Sequence, residues 1–156
     1  MKFIMNYRKF IPRTISKKYF GLLGIFLILS LNFSSVVAIS DLERVTISDS
    51  SLKNVFGVPI IDNINTNQQI QISTDIQNNQ EKSQDFLYIV QIKNNESVVV
   101  FLGWISGQLS ANHKLNPSLS WTPNQAGEFT VEIFVWESLK NNKALDDDIT
   151  LQIYVS

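Results

Sequence analysis

Few side chains of this 156-residue chain are equipped for bond-making chemistry: there is one histidine, His113, no cysteine, and two methionines, Met1 and Met5. A blue-copper centre needs a thiolate, two imidazoles and usually a thioether. Zinc needs three or four nitrogen, sulfur or carboxylate ligands. The copper set cannot be assembled here, one histidine and no cysteine fall short of the soft or borderline ligands that tight zinc sites use, and thiolate nucleophiles are excluded with the cysteines. His113 could act as a base toward Ser110, Ser118 or Ser120. It stands, however, in the polar run Ala111-Asn112-His113-Lys114, with no carboxylate near it in sequence. It reads as an exposed loop residue, and the chain as one without a catalytic, cofactor or metal site.

Two loop features carry other chemistry. Asp146, Asp147 and Asp148 form a dense acidic run, and hard cations favour oxygen-rich loops, but the spaced aspartates and glycine of a calcium loop are missing. The run reads as charge protecting a sheet edge, with calcium as the second reading. Asn95-Glu96-Ser97 is the one glycosylation sequon after residue 38, since Pro117 blocks Asn116-Pro117-Ser118. Asn95 is therefore the candidate glycan acceptor.

The elements that must position these groups begin after a stretch of a different kind. Lys2, Arg8, Lys9, Arg13, Lys17 and Lys18 precede an apolar run from Tyr19 to Phe33, and residues 1–38 contain no acid. Cations, an apolar segment and then small residues make an export signal, with Val36 and Ala38 as the recognition pair for cleavage. Phe20 to Ile39 is also about long enough to span a bilayer, so an uncleaved anchor is the alternative. In both cases the basic flank stays inside and the domain from Ile39 to Ser156 faces outward, at the cell surface or beyond it.

Removing residues 1–38 takes 6 of the 13 basic residues and none of the 14 acidic ones, leaving 7 against 14 and a net charge of −7. A domain with that balance lacks the basic stripe that neutralises phosphates, so nucleic acid is excluded as a partner. Contact with a membrane is expected through the N-terminal segment alone. Without disulfides, an exported domain of 118 residues (38 subtracted from 156) must stand on its core.

That core is legible as alternation. Glu43 to Ser48 reads as a short strand, Asp49 to Lys53 as a turn, and Val55 to Ile61, with Gly57 and Pro59, as an edge or bulge. Ile70, Ile72, Thr74 and Ile76 alternate with polar residues. Phe86 to Ile92 is apolar on both parities, with Phe86, Tyr88, Val90 and Ile92 on one face and Leu87 and Ile89 on the other. Lys93 to Glu96 reads as a hairpin turn, and Ser97 to Ser106 returns as its partner. A two-residue loop would turn Val99 and Phe101 to the core, and a three-residue loop Val98, Val100, Leu102 and Trp104. Pro117 to Trp121, a long strand from Glu128, and Ile149 to Val155 follow. Seven or eight strands at this spacing, with no competing helix, predict an all-β Greek-key sandwich.

The stretch WTPNQAGEFTVEIFVW, Trp121 to Trp136, organises the rest. Phe129, Val131, Ile133 and Val135 form the core parity, and Phe134 and Trp136 the opposite one. Trp121, Pro123, Ala126, Gly127, Phe129 and Val131 stand as W-x-P-x-x-A-G-x-F-x-V, which resembles the corner and following strand of immunoglobulin-like and fibronectin-like sandwiches. With FLYIVQIKN, WISGQL, LSWTP and FVWESL, residues 65–156 resemble small exported immunoglobulin-like domain proteins of archaea. The resemblance implies a fold and a location, not an activity. The bridging disulfide of immunoglobulins is missing, and Phe129 stands where many have Tyr. The corner must then rest on packing, with Trp121 as the expected neighbour.

Pairing of the two long strands in such a topology brings Leu87 and Ile89 beside Phe134 and Trp136 on the outer sheet face. These four are the candidate interaction patch, for a protein partner or a second copy. A carbohydrate-binding module using Trp136 and Trp104 as stacking platforms is the alternative, with Glu132, Gln91 and Gln152 as polar neighbours. Coverage by Val55 to Ile61, or by the long loops, is the competing structural explanation. For the N-terminus, the intact mass of natively exported protein is expected to start near Ile39, whereas a membrane-bound product retaining Lys17 and Lys18 would mean an anchor.

Overall fold

The alternation resolves into eight strands in the computed structural model, which describes residues 39–61 and 63–156: β1 (Val45–Lys53), β2 (Ile70–Asn78), β3 (Gln84–Asn94), β4 (Val99–Leu109), β5 (Lys114–Leu115), β6 (Ser118–Trp121), β7 (Gly127–Trp136) and β8 (Ile149–Val155). The stretch 1–38, read above as export signal or anchor, lies outside the described residues. One sheet orders β1-β2-β5 with β6 also on β2, the other β4-β3-β7-β8, and every strand pairing is antiparallel. β3 and β7, far apart in sequence, sit at the centre of the second sheet, as sandwich topology requires. The only helical turn among the described residues is a 3₁₀ turn at Asp41–Glu43.

The core lies between the sheets. Phe86, Tyr88, Val90 and Ile92 of β3 and Phe129, Val131, Ile133 and Val135 of β7 face Ile70, Ile72 and Ile76 of β2, all of them buried. Tyr88 is fully buried, and its hydroxyl donates to the Ile72 carbonyl across the sandwich at 3.0 Å. Burial disfavours its ionised form and pushes its pKa up to about 12. At the corner, Trp121 is buried and meets Phe129 edge-to-face, with ring centroids 5.2 Å apart. The missing tyrosine hydroxyl is replaced there by aromatic packing.

Two local expectations are corrected. β1 runs through the predicted turn at Asp49–Lys53, because a bulge between Ser48 and Ser51, with Asp49 at φ 50°, absorbs the irregularity while pairing to β2 continues. Val55 to Ile61 is not a strand: Asn54 accepts hydrogen bonds from the Phe56 and Val58 amides, Gly57 takes φ 79°, and Phe56 and Ile61 project into solvent. This turn is tied to the end of β1 by a bridge between Lys53 and Pro59.

The register of the β3–β4 hairpin, open from the sequence, is set by a bulge. Its loop has three residues, Asn95 to Ser97, with Asn94 N bonded to Val98 O and Ser97 at φ 62°. Loop length alone would then send Val100, Leu102 and Trp104 inward. Instead Lys93 pairs with Val99 and Ile92 with Phe101, so the extra residue Val100 restores the opposite parity. Phe101 packs on the core and Leu102 and Trp104 face outward. A bulge reverses the faces a strand presents, and no alternation pattern contains it.

Emptying the corner by Trp121→Ala is expected to cost about 3–5 kcal/mol. Deleting only the buried hydroxyl by Tyr88→Phe is expected to cost about 1 kcal/mol. Urea unfolding of the two variants checks both magnitudes and their order.

Candidate functional site

The outer face of the β4-β3-β7-β8 sheet is divided into an apolar and a polar half. In the register, Leu87 stands between Ser106 and Trp136, Ile89 between Trp104 and Phe134, and Gln91 between Leu102 and Glu132. The four patch residues are thus neighbours, in two roles. Leu87 and Ile89 are only 1% and 7% exposed and form a floor. Phe134 and Trp136 are half-buried and pack against each other, ring centroids 6.1 Å apart.

The walls include residues that the sequence did not place. Leu102 and Trp104 of the edge strand β4 are 54% and 51% exposed, and Leu139 overhangs from the loop after β7. With Ile89, Gln91, Phe134 and Trp136 they line a groove of about 300 Å³. A second depression, about 440 Å³, continues past Trp104 and Leu139 toward Asp85, Ser106, Glu137 and Lys140. Trp104 had been singled out only as an aromatic platform; Leu102 needed the bulge to reach this face, and Leu139 lies in a loop that no periodicity orients.

The loop carrying Leu139 is fixed at both ends. Leu145 is fully buried and its amide bonds Val135 O, and Glu137 N bonds Lys143 O. Arg44 reaches from the start of the domain to Glu137 at 3.1 Å, and Lys143 pairs with Asp41 at 3.2 Å. One wall of the groove is therefore tied to the point where the chain enters the sandwich. Val55 to Ile61 supplies no residue to the lining, so the coverage considered for it is not what buries Leu87 and Ile89.

The polar half begins at Gln91. Its side-chain amide donates to Glu132 at 2.6 Å, and Lys93 pairs with the other Glu132 oxygen at 2.8 Å. The hydrogen bond from Lys93, helped by Gln91, holds the Glu132 carboxyl below its ordinary range despite partial desolvation. The Glu132 carboxylate, partly buried, is engaged by these two partners within the sheet.

The other sequence candidates lie apart from the groove. His113 is exposed and makes no side-chain hydrogen bond or ion pair among the described residues. No metal-competent cluster of His, Asp and Glu occurs among them. In the acidic run, Asp146 Oδ2 accepts from Ile47 N at 2.6 Å and Oδ1 from Asp147 N at 2.9 Å, so this carboxylate pins the loop before β8 to β1. Asn95 is exposed at the hairpin tip, where Asn94 closes the turn by accepting from the Glu96 and Val98 amides.

No family model matches the sequence, and no curated protein matches it. Among solved structures, the domain is similar to the C-terminal domain of wzt, with a TM-score of 0.55, 14% identity, and coverage of 72% of this chain and 74% of that one. The fold is an immunoglobulin-like β-sandwich. It is also similar to part of a β-glucosidase from Listeria innocua in complex with glucose (TM-score 0.53, 13% identity, 72% of this chain but 16% of that one). A third likeness is to part of the Pseudomonas fluorescens alkylpurine DNA glycosylase AlkC (TM-score 0.51, 12% identity, 72% and 30%). At these identities the likeness is one of fold.

The two outer tryptophans differ in what they cover. Trp104→Ala, at a half-exposed edge position, is expected to cost less than about 1 kcal/mol, whereas Trp136→Ala uncovers Leu87 and is expected to cost roughly 2 kcal/mol. Denaturant unfolding of both variants distinguishes them, and equal losses would mean that Trp104 is as much a part of the core cover as Trp136.

Proposed function

We propose that this protein is an exported, non-catalytic immunoglobulin-like module of the kind carried by small archaeal surface proteins, and that its outer-face groove takes up apolar side chains of a protein partner. The observation that supports it is the unequal cover of β3: Leu87 and Ile89 are buried, but under Leu102, Trp104 and Leu139, each more than half exposed. Apolar cover left facing solvent on one sheet face marks a contact surface. A rim of this chemistry, with tryptophan over an aliphatic floor, is the composition of interface centres. The polar partners of Glu132 are satisfied within the sheet, which leaves the apolar half to provide the contact energy.

The non-catalytic reading is supported by the residue inventory, with one histidine and no cysteine. Export rests on the basic and apolar pattern of residues 1–38, and either fate of that segment would leave the domain on the outer side of the membrane, at the cell surface or beyond it. A glycan on Asn95 would sit at the hairpin tip, beyond the groove.

The alternative is a carbohydrate-binding module, favoured by one feature: Trp104 and Gln91 line the same groove, so a sugar ring stacked on the indole would meet a side-chain amide. Parallel screening of the purified protein on a peptide array and a glycan array separates the two. Binding to apolar peptides that weakens at least about tenfold in Trp136→Ala is expected, the loss typical of a truncated interface anchor. Submillimolar glycan binding abolished by Trp104→Ala, without peptide binding, would reverse the assignment.

A further inference from the structure

The sheet edges among the described residues differ in how they are guarded against strand addition. β1 has its bulge, Asp49 and Lys53; β5 and β6 are short and separated by Pro117; β8 follows the acidic run and is bridged by Ile64 at its end. β4 is different. It is 11 residues long, forms the free edge of its sheet, and lies in a segment, Ser97 to His113, without one formally charged residue. Beyond Val100 its pairing with β3 is regular to Leu109. An edge of this length without lysine, proline or an inward charge is a template for another strand.

The middle of β4 is also exposed on both faces, between Phe101, which packs on the core, and Leu109, which is buried. Leu102 and Trp104 look outward, while on the inner side Ile105, opposite Tyr88, is still 36% exposed. Val98, Val99 and Val100 continue the exposed apolar ribbon toward the hairpin tip.

We propose that β4 pairs antiparallel with β4 of a second copy about a two-fold axis at Gly103, joining two four-stranded sheets into one of eight. This names a partner within the interaction-module reading and rests on it. About that axis Leu102 of one copy stands opposite Trp104 of the other on the outer face, and Phe101 opposite Ile105 on the inner face. Both are aromatic–aliphatic cross-strand pairs, which stabilise antiparallel sheets. The segment is therefore complementary to itself in this register, as an isologous contact demands.

Charge favours the same place. Two domains with an excess of 7 acidic residues repel, and the one long edge free of charge is where they approach without opposing carboxylates. The two grooves would then lie side by side, and the second copy would complete the open flank beyond Leu102 and Trp104.

Sedimentation equilibrium of the full chain in density-matched detergent tests the pairing. A dimer is expected, with Ile105→Lys raising its dissociation constant at least about tenfold by placing a charge opposite the partner's Phe101. Tyr154→Lys, on the far edge strand, should leave the dimer intact. Ile105 does not line the groove, so peptide binding by Ile105→Lys reports separately on the interaction-module reading. Because the chain has no cysteine, Leu102→Cys combined with Trp104→Cys should give an oxidised cross-link between copies in this register. A wild-type monomer at every concentration, or a dimer that neither cross-links through these positions nor responds to Ile105→Lys, overturns the inference.

Discussion

Strand β3 is apolar on both of its faces, and the protein is arranged to cover it twice. Tyr88, Val90 and Ile92 go into the sandwich, where the facing sheet excludes water from one side. Leu87 and Ile89 point the other way, where a two-layer sandwich has no third layer. Their cover comes from neighbours in the same sheet and a loop: Phe134 and Trp136 from β7, Trp104 from β4 and Leu139 from the segment after β7. Covering side chains of that size are themselves left half in water. The groove is the consequence of protecting the outer face of a central strand without a layer to protect it.

The same demand accounts for the polar devices around it. Leu139 can serve as a wall only if its loop is held, and Leu145, Glu137 and Lys143 hold it to β7, Arg44 and Asp41. Farther along β3 the outer face becomes Gln91 and Lys93, which close on Glu132. Partly buried ion pairs with all oxygens engaged add little net stability. Their effect here is to end the apolar surface sharply, so that a partner meets a groove with one wet boundary and one dry one.

Inside the sandwich, buried polar groups tie the sheets together, Asn78 of β2 by donating to the Leu109 carbonyl of β4 at 3.3 Å and Tyr88 by its hydroxyl. Tyr88 reaches the carbonyl of Ile72 from the opposite layer, and a buried donor of this kind is satisfied in one relative placement of the sheets. With no disulfide available, this contact and the Trp121–Phe129 corner take the place of the cross-link that immunoglobulins use between layers.

Alternation made the sandwich and the faces of β2, β3, β7 and β8 legible from the sequence, because a pleated strand alternates its side chains whatever surrounds it. It placed Leu87 and Ile89 opposite Phe134 and Trp136 once the two strands were taken as partners, and the absence of cysteine and the single histidine ruled out thiolate and multi-imidazole sites outright. Composition misread Asp49–Lys53, where pairing to β2 overrode a turn-like run, and Val55 to Ile61, where Gly57 and Pro59 imply an edge or bulge but Asn54 and Gly57 close a turn. Only the tertiary structure decided the rest: the bulge at Val100 that sends Leu102 and Trp104 outward, the loop that lowers Leu139 over the floor, and the packing that leaves the middle of β4 exposed on two faces and one edge. Each depends on contacts between segments distant in the chain. A bulge shifts register by one residue without changing any local pattern, and exposure is a property of what lies opposite, which no stretch of sequence carries by itself.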